Sequence, residues 1–127
     1  MLILDENVGE SQRRLFLRHR LHVRQIGVEL GHKGMGDDDV LRLLHTLRRP
    51  TLITRDLRLF RAELCHPGYC LAILDVAKHE LFGITLRLLE HREFDTAAKR
   101  MGKIIRAGED VLRVWSFKED EQRSPRW

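Results

Sequence analysis

Leu52-Ile53-Thr54-Arg55-Asp56 is a short apolar run that closes on a carboxylate, and the same construction stands at Leu2-Ile3-Leu4-Asp5-Glu6-Asn7 and at Leu71-Ala72-Ile73-Leu74-Asp75. Runs this short and this apolar read as strands buried on both faces, the habit of a mostly parallel sheet with helices on each side. Ligands of such a sheet gather beyond the carboxyl ends of its strands. Asp5, Asp56 and Asp75 therefore fall where an α/β protein keeps its chemistry.

Outward from these strands, the intervening segments carry helical periodicity. Gly9–Arg20 sets Leu15, Phe16 and Leu17 among Arg13, Arg14, Arg18 and Arg20, which predicts a helix with a basic outer face. Leu21–Ile26 alternates imperfectly and predicts an edge strand. Residues 27–36 contain Gly27, Gly31, Gly34 and Gly36 and read as a loop. The next helix opens on Asp37-Asp38-Asp39, whose charges complement the helix dipole; it aligns Val40, Leu41, Leu44 and Leu47 and stops before Pro50. Thr51–Thr54 is then a strand, Asp56–Leu64 a short helix and Tyr69–Leu74 a strand. Glu80–Glu90 and Asp95–Arg106 read as helices, the second capped by Asp95 and ended at Gly108, and Val111–Trp115 as the last strand. One domain over residues 1–117 is expected, with a charged, aperiodic tail, 118–127, either disordered or docked on a partner.

The chain has 127 residues, 43% of them hydrophobic, enough for one core and too few for a second domain of ordinary size. Lys and Arg exceed Asp and Glu by 23 to 19, a net charge of +4. Converging carboxylates on a basic protein repel one another unless one is protonated or a cation neutralises them, and all-oxygen ligands suit Mg²⁺ or Mn²⁺. A polyanionic substrate accounts for both the metal-type acids and the basic balance. The apolar runs are far shorter than a bilayer span, and no basic stretch followed by an apolar one opens the chain, so a soluble, cytoplasmic protein without a membrane partner is expected. Cys65, His66 and Cys70 do not close a tetrahedral zinc site, and Pro67-Gly68 between them reads as a turn. The absence of Gly-Lys-Ser/Thr argues against an ordinary phosphate-loop nucleotide enzyme.

Each acid also has a plainer reading. Asp5 closes a strand whose neighbours must be buried, which holds its carboxylate at the rim of the core. Asp56 can cap the following helix and still serve as a ligand, with Thr54 orienting a metal-bound water. Of the helix-opening acids, Asp37 shares a face with Val40, Leu41 and Leu44 and is expected to face inward; Asp38 is the reserve and Asp39 belongs to the helix dipole. Asp75 is either a further ligand or part of a loop. Glu6, beside Asp5, points to the other side of a strand and is a secondary candidate.

Taken together, Met1 to Asn7, Gly36-Asp37-Asp38-Asp39-Val40-Leu41 and Leu52 to Phe60 resemble the PIN-like fold, in particular the small bacterial PIN-like proteins allied to VapC-type toxin ribonucleases, over roughly residues 1–76. The resemblance implies a three-layer α/β/α sandwich with a mostly parallel sheet, and metal-dependent cleavage of RNA. By position, Asp5 matches the first-strand acid, Asp37 the acid opening the helix before the central strand, and Asp56 the acid of the Thr-x-Asp element. The longer toxins carry a further acid on a helix between the first two positions, where this chain has only Glu10 and Glu29.

The expected function is that of a Mg²⁺- or Mn²⁺-dependent endoribonuclease. Asp5, Asp37 and Asp56, with Asp75, would hold the metal, and Arg13, Arg14, Arg18 and Lys33 would contact the RNA backbone. With aromatics at 6%, base stacking is a small contribution. The resemblance extends to a toxin with an antitoxin partner. A homodimer is expected from the edge strand and an apolar face at Phe82, Leu86 and Leu89. The alternative is a non-catalytic PIN-like binding or regulatory module acting through a protein partner. A receiver-like or phosphatase-like enzyme is a second rival, set against the lack of a Lys-Pro pair at a late strand end.

Overall fold

The computed structural model describes residues 1–127. Its frame is one six-stranded sheet built from β1 (Leu2–Leu4), β2 (Val23–Gln25), β3 (Thr51–Thr54), β4 (Cys70–Leu74), β5 (Lys103–Ala107) and β6 (Leu112–Ser116), in the order β2-β1-β3-β4-β5-β6. All neighbours run parallel except β6, which is antiparallel to β5. The expected α/β class and mostly parallel sheet are thus observed. The edge strand predicted at Leu21–Ile26 forms as the shorter β2.

Alternation along the strands divides the core into two faces. Leu2, Leu4, Ile53, Ala72, Leu74 and Ile105 pack with helices α1 (Glu10–Arg18) and α3 (Leu81–Glu90). Ile3, Leu52, Leu71, Ile73 and Ile104 face the other way, toward helix α2 (Asp37–His45). Leu44 is the one residue of α2 that is wholly buried, so it anchors that helix to the sheet. Every residue of β1, β3 and β4 is buried, which explains why these runs lack polar alternation.

Three local expectations are corrected. Asp95–Arg106 is not a helix: α4 (Ala97–Arg100) is a single turn capped by the Thr96 hydroxyl, and β5 follows it. Gly102 takes φ +82°, a conformation that terminates the turn, and the β-branched pair Ile104-Ile105 is buried between β4 and β6. Asp56–Leu64 forms two 3₁₀ turns, Leu57–Leu59 and Ala62–Leu64, because Arg61 between them is extended at φ −137°, ψ 132°.

The tail docks on its own chain. Arg123 exchanges backbone hydrogen bonds with Val114 at 2.9 Å in both directions, covering the outer edge of β6. Trp127 donates from its indole to the Gly108 carbonyl at 2.6 Å and lies under the Arg87 guanidinium, 3.9 Å from its ring centroid. The face expected to join two copies is likewise taken. Phe82 is buried edge-to-face against Phe16, with ring centroids 4.9 Å apart, and Leu86 and Leu89 pack on the same core.

Candidate active site

The chain leaves β1 toward α1 on one face of the sheet and leaves β3 toward the 3₁₀ turn at Leu57–Leu59, whose Leu59 packs on the opposite face. Adjacent parallel strands that send their connections to opposite faces open a crevice between their carboxyl ends. Here that crevice is a cleft of about 710 Å³, lined by Asp5, Glu6 and Asn7 after β1, by Thr54, Arg55, Asp56 and Arg58 after β3, and by Asp37 and Val40 of α2.

Asp5 sits deepest. Its carboxylate accepts a 2.9 Å hydrogen bond from the Thr54 hydroxyl, which in turn accepts the Asp56 amide at 3.1 Å. Burial pushes the Asp5 carboxyl above its ordinary pKa, against the downward pull of the Thr54 hydroxyl and the Glu6 and Asn7 amides. The proton of Thr54 is therefore spent on Asp5, and the residue positions a carboxylate where a water-orienting role was expected.

The backbone behind Asp5 is held by a residue that the sequence reading overlooked. Gln25, buried on β2, donates from Nε2 to the carbonyls of Val8 at 2.7 Å and Asp5 at 3.1 Å. Gln12, also buried, accepts the Phe82 amide at 2.9 Å and donates to the His79 carbonyl at 3.3 Å, tying α1 to the start of α3 beside the cleft. The only available signal was that two glutamines stand among apolar positions.

Asp56 caps the following 3₁₀ turn by accepting the Arg58 amide at 3.0 Å. The Arg58 side chain closes on the same carboxylate, with Nε 2.9 Å from Oδ1 and Nη2 2.8 Å from Oδ2. This two-pronged pairing, followed by the amide bond, holds the Asp56 carboxyl below its ordinary range despite partial burial. Asp37 reaches the cleft from its rim, as an exposed residue, and its charge joins that of Asp56 in keeping Arg58 protonated. Glu6 also lines the cleft, where both its oxygens accept the Gly34 amide, at 3.0 and 3.1 Å, and pin the glycine loop.

The remaining candidates lie elsewhere. Asp75 accepts from Arg106 at 2.8 and 3.1 Å and is outside the cleft lining. Asp38 is exposed and outside it as well. Arg13 is engaged by Glu29 and Gln25, Arg14 stands 3.4 Å from Glu10, and neither they nor Arg18 and Lys33 line the cleft. The cations on the lining are Arg55, Arg58 and Lys78, with His79 beside them. Arg55 is steadied by a 2.8 Å bond from Nε to the Val76 carbonyl.

Comparison with protein-family models, curated proteins and solved structures gives no match. The site therefore speaks through its own chemistry. Its donors are carboxylate and hydroxyl oxygens, the set that hard divalent cations select. As the side chains stand, no three Asp, Glu, His or Cys groups are close enough together to share one ion. The charge the acids call for is met at Asp56 by Arg58, whose side chain is 81% exposed and free to turn outward. The donor chemistry fits a divalent ion once that guanidinium leaves. No helix is long and apolar enough to cross a membrane.

Proposed function

We propose that this chain is a PIN-like, Mg²⁺- or Mn²⁺-dependent endoribonuclease whose active site is the cleft between the ends of β1 and β3. One observation carries the reading: Asp5, Asp37 and Asp56, brought from three separate parts of the sequence, line a single cleft with cations at its mouth. Asp5 and Asp56 would hold the metal, with Asp37 completing the set from the rim. A bound divalent ion would supply an activated water and charge stabilisation for the phosphodiester. Thr54 keeps Asp5 ionised and aimed into the cleft, while Arg55 and Lys78 offer the phosphates of the RNA positive charge at the mouth. An antitoxin protein, or a second copy of the chain, belongs to this reading as the partner that would cover the cleft.

A second reading is favoured by the Arg58–Asp56 pair. With Asp56 satisfied by a side chain of its own protein, the cleft would serve a non-catalytic module acting through a protein partner. Titration calorimetry with Mn²⁺, alongside cleavage of single-stranded RNA, separates the two. The nuclease reading expects saturable binding that Asp5→Asn abolishes and cleavage that depends on added metal. Neither binding nor cleavage by the folded protein would leave the module.

A further inference from the structure

We infer that Arg58 is a resident cation that occupies Asp56 and competes with a divalent ion for it, so that metal enters the cleft by displacing a guanidinium. The inference rests on the metal-site reading above and adds the device that controls access to the site.

The geometry is specific to this pair. Arg58 follows Asp56 by two positions in a 3₁₀ turn, and the same carboxylate that caps the turn through the Arg58 amide accepts both Nε and Nη2 of its side chain. Both Asp56 oxygens are thereby engaged by one residue. A planar guanidinium laid along a carboxylate matches both oxygens at once, as a point-charge ammonium does not.

The pairing is also poised to release. Arg58 is 81% exposed and Asp56 23% exposed, so the acid is fixed in the cleft wall while its partner stands in solvent. An exposed pair of this kind gains little net free energy, because water competes for both ends and holding a long side chain costs entropy. A divalent ion engaging Asp56 together with the buried Asp5 can therefore exchange with it. Asp37 lies within electrostatic reach of the same guanidinium, which keeps the arginine at the acidic wall until a stronger cation arrives. Arg55 supplies an internal contrast: it lines the same cleft but is bonded to the Val76 carbonyl and to no acid.

The test is Mn²⁺ titration by calorimetry, with Mn²⁺ electron paramagnetic resonance as a second readout, on the full chain and in the absence of RNA. Arg58→Ala is expected to bind Mn²⁺ about tenfold more tightly than the wild type, the scale of one exposed charge-assisted pair removed together with one competing charge. Arg55→Ala should change the affinity by about twofold at most, since it removes a comparable charge without freeing Asp56. In an Asp56→Asn background the gain from Arg58→Ala should disappear.

Equal Mn²⁺ affinity in wild type and Arg58→Ala overturns the competition while leaving the metal site intact. An equal gain from Arg55→Ala, or a gain that survives Asp56→Asn, overturns it in favour of a general charge effect. Absence of Mn²⁺ binding in every variant, with circular dichroism unchanged, overturns the metal reading itself and the inference with it.

Discussion

The Thr54 hydroxyl donates to Asp5 Oδ2 across 2.9 Å, fastening the end of β3 to the end of β1 at the point where the chain departs to opposite faces of the sheet. Because the same oxygen accepts the Asp56 amide, one buried hydroxyl positions two of the three acids of the cleft. Thr54→Val keeps the shape and removes both interactions. It is expected to cost about 1–3 kcal/mol in urea unfolding, since a partly buried carboxylate and an amide each lose a partner. Thr54→Ser should retain most of the stability. A valine variant as stable as the wild type would show that the bridge is structurally idle.

Asp5 gives a prediction whose sign follows from its raised pKa. A carboxyl that titrates higher in the folded chain than in the unfolded one binds protons more readily when folded, so its ionised form weakens the fold. That loss begins as pH rises through the unfolded value, is complete above the folded value, and is absent below both. Asp5→Asn should therefore melt at a higher temperature than wild type at pH 7, with the difference vanishing near pH 3, below the ordinary aspartate range of about 3.9. A lower midpoint at pH 7 would show that hydrogen bonds to the carboxylate outweigh its burial.

Removal of residues 122–127 tests the docked tail. The truncation deletes the Arg123–Val114 pairing at the β6 edge, the Trp127 indole bond to Gly108 and the Arg87 stack on Trp127. The expected loss is about 2–3 kcal/mol, from one aromatic side chain, its hydrogen bond and its cation contact. A disordered tail would leave the unfolding midpoint where it was.

The cleft's cations predict how RNA binding depends on salt. Binding of single-stranded RNA by Asp5→Asn should weaken linearly in log affinity against log salt, by about 0.7 per phosphate contact. Lys78→Glu and Arg55→Glu should each weaken binding and flatten that slope. Arg14→Glu, on the outer face of α1 and away from the cleft lining, should change it little. A dependence on Arg14 stronger than on Lys78 would move the RNA to the helix surface.

Much of this arrangement was legible in the sequence because burial writes itself into short strands. The runs ending at Asp5 and Asp56 are apolar throughout, and their carboxyl ends fall side by side once β1 pairs with β3. What could not be read depends on tertiary register. Arg106 reaches Asp75 because β5 lies beside β4, and reading Asp95–Arg106 as a helix concealed that neighbour. Local helix-forming residues such as Ala97, Ala98 and Lys99 outweighed Ile104-Ile105 in the pattern, and the left-handed conformation of Gly102, which separates them, shows only in the folded chain. Arg13, Arg14 and Arg18 were legible as a basic helix face, but α1 turns that face away from the cleft, and the working cations come from the ends of β3 and β4 instead.

The central claim is that Asp5 and Asp56 act in metal-dependent cleavage, and single-turnover cleavage of a short single-stranded RNA in Mn²⁺ tests it most directly. Asp5→Asn and Asp56→Asn, each shown to be folded by circular dichroism, should each cut at least about a hundredfold more slowly than wild type, because loss of a ligand removes charge stabilisation from the transition state. Cleavage by both variants at the wild-type rate would contradict the account.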